Sequence, residues 1–424
     1  MNHPDCFETY TAILRNEIMP AIGCTEPISV ACCAAKAQQV LAMQPTAVTV
    51  SVSENTLKNV KGVIVPNTNG LKGIRAAVSA GVVCGNADKS MQILENVTEE
   101  QREAITRFME TTPIDVSCAE TECALYISVT LYARTSYSRV VIANGYSNVV
   151  EIMKNGEALF KQPIVVQSED HRIGETDLNV RGILEYAQNA DLNEIRDQLD
   201  LQIGCNTAIC EEGLATDYGA NIGKILLSAD SPDAKTIAKA YAAAGTDALM
   251  NGCDLPAAIL CGSGNQGIAA SVPILCYAKQ YAIPQERTYR ALILSDLLTV
   301  YLNVLSGKRS AVCGAANAGC AAGAGVAFLL EENESAVVRT LLNALNMISE
   351  TVCDGAAPAC AARIAEAIDT GILGYQMYLY RKHNQPGEDL PEPNVDEIIR
   401  SLVRHSSDGL SEPDQAISSM IRQS

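Results

Sequence analysis

TAVTVSVSEN occupies residues 46–55 and alternates apolar with polar side chains. Alternation with a period of two predicts a β-strand that buries one face. KGVIVPN, residues 61–67, has a similar pattern, and four further strand-like segments follow within residues 114–160. Helical patterns separate the two groups at residues 73–85 and 97–111. Residues 46–165 are therefore predicted to form a mixed α/β subdomain.

The remainder of the chain carries helical patterns. Residues 7–19 and 28–42 predict two helices, which we assign to an N-terminal segment, residues 1–45, packed on the helical part. Beyond the mixed subdomain nearly every periodic segment is helical and rich in Ala, Gly and Ser. We therefore predict an α+β fold, in which the mixed α/β N-terminal subdomain packs on a larger, mostly α-helical, Ala/Gly-rich catalytic core, residues 166–424.

Composition excludes several classes of protein. Lys plus Arg number 31 and Asp plus Glu 49, for a net charge of −18. We expect no nucleic-acid partner, because phosphate binding requires a positive field. Hydrophobic residues make up 48% and charged residues 19%, which argues against a long disordered chain. Residues 255–278 and 310–330 carry no charge, but their Gly, Pro and Asn content favours buried segments of a soluble core over membrane spans.

The 16 cysteines are the unusual feature of the composition. The N-terminal residues lack the basic and apolar regions of a secretory signal, so we expect a cytoplasmic protein in which disulfides are disfavoured. Cytoplasmic cysteines serve as buried packing residues, metal ligands or reactive thiols. The short paired spacing of structural zinc sites, C-x₂-C, does not occur in the sequence.

Two cysteine pairs share the spacing C-x₆-C: Cys313 with Cys320, and Cys353 with Cys360. In a continuous helix the two members would lie about 10 Å apart, too far for both to bind one small cluster. The spacing favours one metal ligand from each pair, and two packing cysteines per helix are the alternative. Cys24 lies in a turn before a predicted helix, where the positive end of the helix dipole favours a thiolate ligand.

GSGNQG, residues 262–267, is a polar loop inside an apolar segment. Its backbone N–H groups, together with Ser263, Asn265 and Gln266, could bind an anion such as a carboxylate. The loop lacks the Lys and Ser/Thr of a nucleotide-binding P-loop. A tight turn between two helices is the alternative interpretation.

A second polar group follows the first predicted strand and contains Ser53, Asn55, Lys58 and Asn59. Ser53 and Asn55 are predicted to project from the same strand face, since they are two residues apart. Lys58 could bind a carboxylate or, when desolvated, act as a base. A solvated strand edge is the alternative.

Five motifs occur in an order that resembles the L-cysteine desulfidase family: GCTEPIS (23–29), VSENTLKN (52–59), GSGNQGI (262–268), SAVCG (310–314) and CDGAAPAC (353–360). The C-terminal half of that family is similar to the iron–sulfur L-serine dehydratase alpha chain. The resemblance covers nearly the whole chain. It implies a 4Fe–4S cluster held by three cysteines, which are Cys24, Cys313 and Cys353, with Cys360 as a reserve ligand.

The resemblance also implies a reaction, the cleavage of L-cysteine to pyruvate, ammonia and hydrogen sulfide. An iron without a protein thiolate would bind the substrate sulfur as a Lewis acid. The substrate carboxylate and amine would be held by polar residues of the two groups above, namely Ser53, Asn55, Asn59, Ser263, Asn265 and Gln266. Lys58 and Tyr146 are the candidate bases.

Two departures from the family pattern leave other functions open. The usual GHTN segment is GYSN here, residues 145–148, so that Tyr146 replaces a histidine. The usual SDARM segment is TDALM, residues 246–250, which lacks the arginine. An L-serine dehydratase-type deaminase on the same site and a non-catalytic redox or iron–sulfur sensor are the alternatives. We expect a small amino acid as the partner molecule and leave a homodimer open.

Overall fold

The structure is a computed structural model, which describes residues 3–164, 178–307, 313–348, 355–357, 359–384 and 395–409. These residues form eight strands: β1 (Met19–Ile22), β2 (Ala47–Val52), β3 (Ile114–Cys118), β4 (Tyr126–Ala133), β5 (Ser136–Ala143), β6 (Val149–Lys154), β7 (Glu157–Lys161) and β8 (Pro256–Ile259). Strands β2 to β7 form one sheet in the order β3-β2-β4-β5-β6-β7, antiparallel except for the parallel β2–β3 pair. Strands β1 and β8 pair separately.

Fifteen α-helices occur among the described residues: α1 (His3–Glu17), α2 (Thr25–Leu41), α3 (Glu54–Val60), α4 (Gly73–Cys84), α5 (Glu99–Thr111), α6 (Val180–Asn189), α7 (Arg196–Ala215), α8 (Ile222–Leu227), α9 (Ala234–Met250), α10 (Gly264–Gln280), α11 (Gln285–Ser306), α12 (Gly314–Glu331), α13 (Glu334–Ile348), α14 (Cys360–Asn384) and α15 (Val395–Gly409). Strands dominate the N-terminal part and helices the rest. The predicted α+β fold class is confirmed, while the boundaries at residues 45 and 165 stay predictions.

The alternating pattern of β2 produces one buried sheet face. Val48, Val50 and Val52 are buried, whereas Thr49 is exposed. Val50 lies opposite Val129 of β4 in the antiparallel register. Neighbouring buried side chains therefore meet on the same face, as period-two alternation requires.

Two details of the strand prediction are wrong. The strand predicted at residues 46–55 ends at Val52, because Ser53 is the N-cap of α3 and its carbonyl accepts the Leu57 N–H. Asn55 is therefore helical and does not share a strand face with Ser53. The strand predicted at residues 61–67 reduces to a single bridge between Ile64 and Lys72. Left-handed turns at Asn67 and Asn69 interrupt the extended backbone there.

The two N-terminal helices pack on different parts of the molecule. α1 buries Tyr10 and Leu14 in the helical core, where Tyr10 packs edge-to-face on Tyr186 of α6. α2 instead covers the buried face of the large sheet, with the Cys33 thiol 3.3 Å from the Val140 carbonyl of β5. Residues 1–45 are thus divided between the two parts of the fold, and Cys24 lies where the chain passes from one part to the other.

Small residues allow the helices of the C-terminal part to approach closely. A Cβ atom built on Gly371 of α14 would overlap the Gly319 carbonyl of α12, and one built on Gly323 would overlap Gly371. The uncharged segment 255–278 becomes β8 and α10, and the described part of 310–330 becomes α12 with Cys313 before it. None of the helices in the described ranges combines the length and apolar run needed to cross a bilayer.

Candidate metal and substrate site

A cavity of about 190 Å³ lies between the sheet part and the helical part of the fold. Residues before α2, in the β5–β6 turn, and at the starts of α10, α12 and α14 line it. Eight of the twelve predicted site residues contribute to its wall: Cys24, Asn59, Tyr146, Ser263, Asn265, Gln266, Cys313 and Cys360. The fold therefore gathers most of the predicted site from segments distant in sequence.

Four helix N-termini converge on this cavity. Cys24 and Cys313 are the N-caps of α2 and α12, Ser263 is the N-cap of α10, and Cys360 is the first residue of α14. Neither Cys24 nor Cys313 forms a side-chain cap hydrogen bond. A helix N-terminus carries about half a positive charge and presents N–H donors. The helix N-termini therefore contribute favourable electrostatics for thiolates and anionic ligands, a contribution that does not require many basic side chains.

Cys24 is placed by a glycine turn. Gly23 has φ = 70°, and a Cβ atom at this position would overlap Pro66, so a larger residue would strain the turn and displace the 61–67 segment. Burial raises the pKa of the Cys24 thiol well above its usual range, and the Glu26 carboxylate adds to the effect. A bound metal ion would reverse this preference, because a coordinated thiol loses its proton.

Glu26 connects several cavity residues. Its Oε1 accepts a hydrogen bond from Asn59 at 2.9 Å and lies 3.5 Å from the Tyr146 hydroxyl. Its Oε2 accepts from Thr25 at 3.1 Å and lies 3.5 Å from the Cys24 thiol. One carboxylate thereby links the N-terminus of α2, helix α3 and the β5–β6 turn.

Tyr146 belongs to the GYSN segment, residues 145–148, where the family pattern that the sequence resembles is GHTN. Its backbone carbonyl accepts a hydrogen bond of 2.6 Å from Ser29, and its ring lies against Gly262, where a Cβ atom would overlap the ring. Burial raises the pKa of the Tyr146 phenol well above its usual range, and the carboxylate of Glu26 acts in the same direction. The hydroxyl is therefore protonated near neutral pH, as suits a hydrogen-bond or proton donor.

Only Gly262 and Ser263 of the predicted 262–267 loop lie in the connection from strand β8 to helix α10, since residues 264–267 form the first turn of α10. The segment is therefore not the helix–helix turn of the alternative interpretation. Cys261 and Gly262 both have positive φ, 50° and 70°. A non-glycine residue in the left-handed region is uncommon and often marks a functional turn. The Ser263 hydroxyl accepts a hydrogen bond from the backbone N–H of Gln266 at 3.4 Å. This bond caps the N-terminus of α10, which lies at the cavity.

Asn265 has an unsatisfied side chain. Its Nδ2 donates to the thioether sulfur of Met250, at 3.3 Å, and a thioether is a weak acceptor. Its Oδ1 is buried and has no hydrogen-bond partner within the described part of the chain. Buried amides normally find partners. The Asn265 oxygen is thus suited to accept a hydrogen bond from a bound ligand.

Three predicted residues lie outside the cavity wall. The Ser53 hydroxyl donates to the Ala124 carbonyl at 2.9 Å and accepts from the Tyr126 N–H at 3.2 Å, so it ties α3 to the sheet. Asn55 and Lys58 lie on α3, where the Lys58 side chain is buried. Their roles in substrate binding and catalysis stay predictions.

Cys353 lies outside the described residues. Gly355, two positions later, lines the cavity and has φ = 109°. A Cβ atom on Gly355 would come within 3.0 Å of the Lys58 side chain and closer still to the Lys58 carbonyl. Gly355 therefore approaches α3 and the cavity where a larger residue would overlap the Lys58 carbonyl.

Sequence reasoning missed several cavity residues, among them Cys261 and Arg363. Cys261 adjoins the 262–267 loop, and its proximity to that motif was the available signal. Arg363 follows Cys360 by three residues on α14, a spacing that places two side chains on one helix face. Glu26 and Arg363 are the two charged residues among the described residues of the cavity wall.

Comparison with known proteins identifies the family. The serine dehydratase alpha-chain model matches residues 88–418. The chain belongs to the serine dehydratase alpha-chain family. It is also similar to a UPF0597 protein of Desulfitobacterium hafniense, with 40% identity over 97% of this chain and 96% of the relative. A UPF0597 protein of Finegoldia magna is 39% identical over 96% of this chain and 97% of its own length.

The cavity of this serine dehydratase alpha-chain protein fits an iron–sulfur cluster in donor chemistry. Cys24, Cys313 and Cys360 supply thiols, the ligands that hold such clusters. Within the described ranges no three His, Cys, Asp or Glu side chains form a ready-made metal site. The remaining predicted ligand, Cys353, precedes the cavity residue Gly355 by two positions. The donor set is therefore compatible with a cluster that takes a ligand from the CDGA segment.

Proposed function

We propose that the protein is an iron–sulfur lyase that cleaves L-cysteine to pyruvate, ammonia and hydrogen sulfide. The observation that carries the proposal is the convergence of cysteines at helix N-termini with the polar 262–267 loop in a single cavity. Membership of the serine dehydratase alpha-chain family supports an elimination that removes a β-substituent from an amino acid.

Cys24, Cys313 and Cys353 are the proposed cluster ligands. Cys360 is the reserve ligand, and it packs in one small apolar cluster with Cys24. When bound, the cluster supplies a Lewis acid with affinity for the soft substrate sulfur. Because each thiol must lose its proton to bind iron, the helix N-termini at Cys24 and Cys313 favour assembly.

The polar wall would hold the two ends of the amino acid. The side-chain NH₂ of Gln266 and the N-termini of α10 and α12 suit the carboxylate. The Oδ1 atom of Asn265, which has no hydrogen-bond partner among the described residues, suits the ammonium group. This assignment uses the side chains of Asn265 and Gln266, two of the predicted binding residues that line the cavity.

The chemistry requires one proton to leave the substrate and one to reach sulfur. A base takes the α-proton, and cleavage of the Cβ–S bond gives aminoacrylate and hydrosulfide. Lys58 is the proposed base, because the raised pKa of Tyr146 keeps that phenol protonated. Tyr146, protonated and buried, is suited to donate a hydrogen bond or proton to the departing sulfur. Aminoacrylate tautomerises to an imine, which water hydrolyses to pyruvate and ammonia.

L-Serine dehydration is the second candidate and is favoured by the name of the matched family. It would use the same wall, with loss of hydroxide in place of hydrosulfide. The test is anaerobic purification, iron and sulfide analysis, and assay of L-cysteine, L-serine and D-cysteine. We expect about four irons per chain and sulfide release from L-cysteine. Pyruvate from L-serine alone would establish the second candidate. Iron without turnover would favour the sensor, and protein without iron would refute all three.

Single Cys→Ser variants test the ligand set. Cys24→Ser, Cys313→Ser and Cys353→Ser should each lose iron and visible absorbance. Cys118→Ser, at an exposed position that does not line the cavity, is the control and should retain both. Retention of iron in Cys353→Ser together with its loss in Cys360→Ser would show that Cys360, the reserve, is the ligand.

A further inference from the structure

The orientation of the Gln266 side-chain amide follows from two hydrogen bonds that Asn303 donates, one of them to a backbone carbonyl. Asn303, in the last turn of α11, places its Nδ2 atom 2.8 Å from the Thr299 carbonyl oxygen. A carbonyl oxygen only accepts hydrogen bonds, so the Asn303 atom facing it is the NH₂ nitrogen. The same nitrogen lies 2.8 Å from Oε1 of Gln266. Because this nitrogen only donates, the Gln266 atom facing it is the amide oxygen.

The NH₂ group of Gln266 is therefore directed away from Asn303. Gln266 lines the cavity, and the described residues supply no hydrogen-bond acceptor for its Nε2 atom. Gly314, the first residue of α12, makes room for this group, because a Cβ atom there would overlap Nε2. The donor thus lies beside the N-cap residue Cys313 and the N-terminus of α12.

We propose that Asn303 is a positioning residue that holds the Gln266 NH₂ group toward the cavity, where it donates a hydrogen bond to the α-carboxylate of the substrate. The identity of the ligand rests on the proposed function. Asn303 does not itself belong to the cavity wall and acts through Gln266. The α12 N-terminus and the Arg363 side chain give the same wall further preference for an anion.

The first test replaces the hydrogen-bond donor of residue 266 by an acceptor without changing the shape of the side chain. In Gln266→Glu, Asn303 still donates to one oxygen and the second oxygen replaces the NH₂ group. The probes are L-alanine, which lacks a β-leaving group, and L-alaninamide, which lacks the carboxylate. We expect L-alanine binding to iron-loaded protein to weaken by about 10- to 100-fold, the range for one charge-assisted hydrogen bond. L-Alaninamide binding should change much less.

The second test acts on Asn303 alone. Asn303→Asp offers only acceptors, so Gln266 would turn its NH₂ group toward residue 303 and its oxygen toward the cavity. Asn303→Leu only removes the preference of Gln266 for one of its two amide orientations. An even mixture of the two orientations weakens L-alanine binding by about twofold. The expected order of L-alanine affinity is therefore wild type, then Leu, then Asp. Asn346→Asp is the matched control, since Asn346 donates to the carbonyl four residues earlier in the same way but lies on an exposed surface.

Anaerobic calorimetry measures both probes, and iron content verifies that the site is assembled. Equal L-alanine affinity in wild type and Gln266→Glu, with normal iron and cysteine turnover, would overturn the inference and leave the proposed function intact. A Gln266→Glu variant that changed only the visible spectrum would also overturn the inference, because the Gln266 NH₂ group would then donate to a cysteine thiolate. Absence of turnover and of L-alanine binding in the wild type would overturn the proposed function and this inference together.

Discussion

The buried pair Asp296 and Gln202 predicts a stability that depends on pH. Both residues are fully buried, and Gln202 Nε2 donates to Asp296 Oδ1 at 2.9 Å. The second oxygen of each, Asp296 Oδ2 and Gln202 Oε1, has no partner among the described residues. A proton on Oδ2 would let the acid donate to Gln202 Oε1, so that acid and amide form a pair of reciprocal hydrogen bonds.

The electrostatics agree with a protonated acid. Burial raises the pKa of Asp296 from its ordinary 3.8 to about 7. The folded protein therefore binds this proton more tightly than the unfolded chain. The stabilisation that the folded protein gains by binding this proton is complete below about pH 4. It falls as the pH rises and is lost above about pH 7. A change in pKa of this size corresponds to about 4 kcal/mol in the free energy of unfolding.

Asp296→Asn removes the titration while keeping the shape, because an asparagine NH₂ can donate to Gln202 Oε1. We expect the variant and the wild type to be similarly stable near pH 4. Near pH 8 the variant should be more stable, by up to about 4 kcal/mol. Urea unfolding at pH 4, 6 and 8 measures the difference. Asp254→Asn, which removes the same charge at an exposed position, is the control and should show no such trend. A constant difference between Asp296→Asn and wild type across this range would refute the protonated pair.

Three further predictions concern the cavity and the helical core. Tyr146→Phe should lower kcat by about 10²-fold or more if the hydroxyl donates a proton, and an unchanged kcat in iron-loaded protein would contradict that role. Asn265→Leu should stabilise the ligand-free protein by about 1 kcal/mol, because it removes an unsatisfied buried oxygen. The same variant should bind L-alanine more weakly. Calorimetric melting measures the first effect and calorimetric titration the second. Gly371→Ala should destabilise the fold by about 1–3 kcal/mol, since its Cβ would overlap the Gly319 carbonyl; Gly204→Ala, with nothing within 4 Å of the new Cβ, is the control.

Local patterns predicted the parts of the fold that depend on neighbours in sequence. The alternation at residues 46–52 specified β2 because each buried valine meets a buried partner on β4. The same alternation continues through Ser53, but the strand does not. Ser53 caps α3 and its hydroxyl bonds to Ala124, a contact between residues 71 positions apart. Periodicity contains no information about such a contact.

The candidate site likewise has residues that local sequence patterns predicted and contacts that they could not reveal. Cys24 was predicted from its turn before a helix, and residues 262–267 from their polar composition. Cys313 was predicted from the C-x₆-C spacing and the family resemblance. The link from Gln266 to Asn303 spans 37 residues and joins two helices, so no local pattern reveals it. Glu26 is one residue from Thr25 in sequence, yet its connections to Asn59 and Tyr146 arise only when α3 and the β5–β6 turn meet α2.

The net charge of −18 argues against a polyanion as partner, yet it does not oppose an anionic ligand in the cavity. A long-range field depends on the sum of all charges and is screened beyond about 10 Å at 0.1 M ionic strength. A ligand in the cavity interacts first with groups a few ångströms away, and there the N-termini of α2, α10, α12 and α14 direct their partial positive charges inward. Arg363 is the single cation among the described wall residues. Most of the positive potential thus comes from backbone amides, whose donors are fixed by the helices and carry no proton to lose as the pH rises. Such a site can hold thiolates and a carboxylate together within an acidic protein.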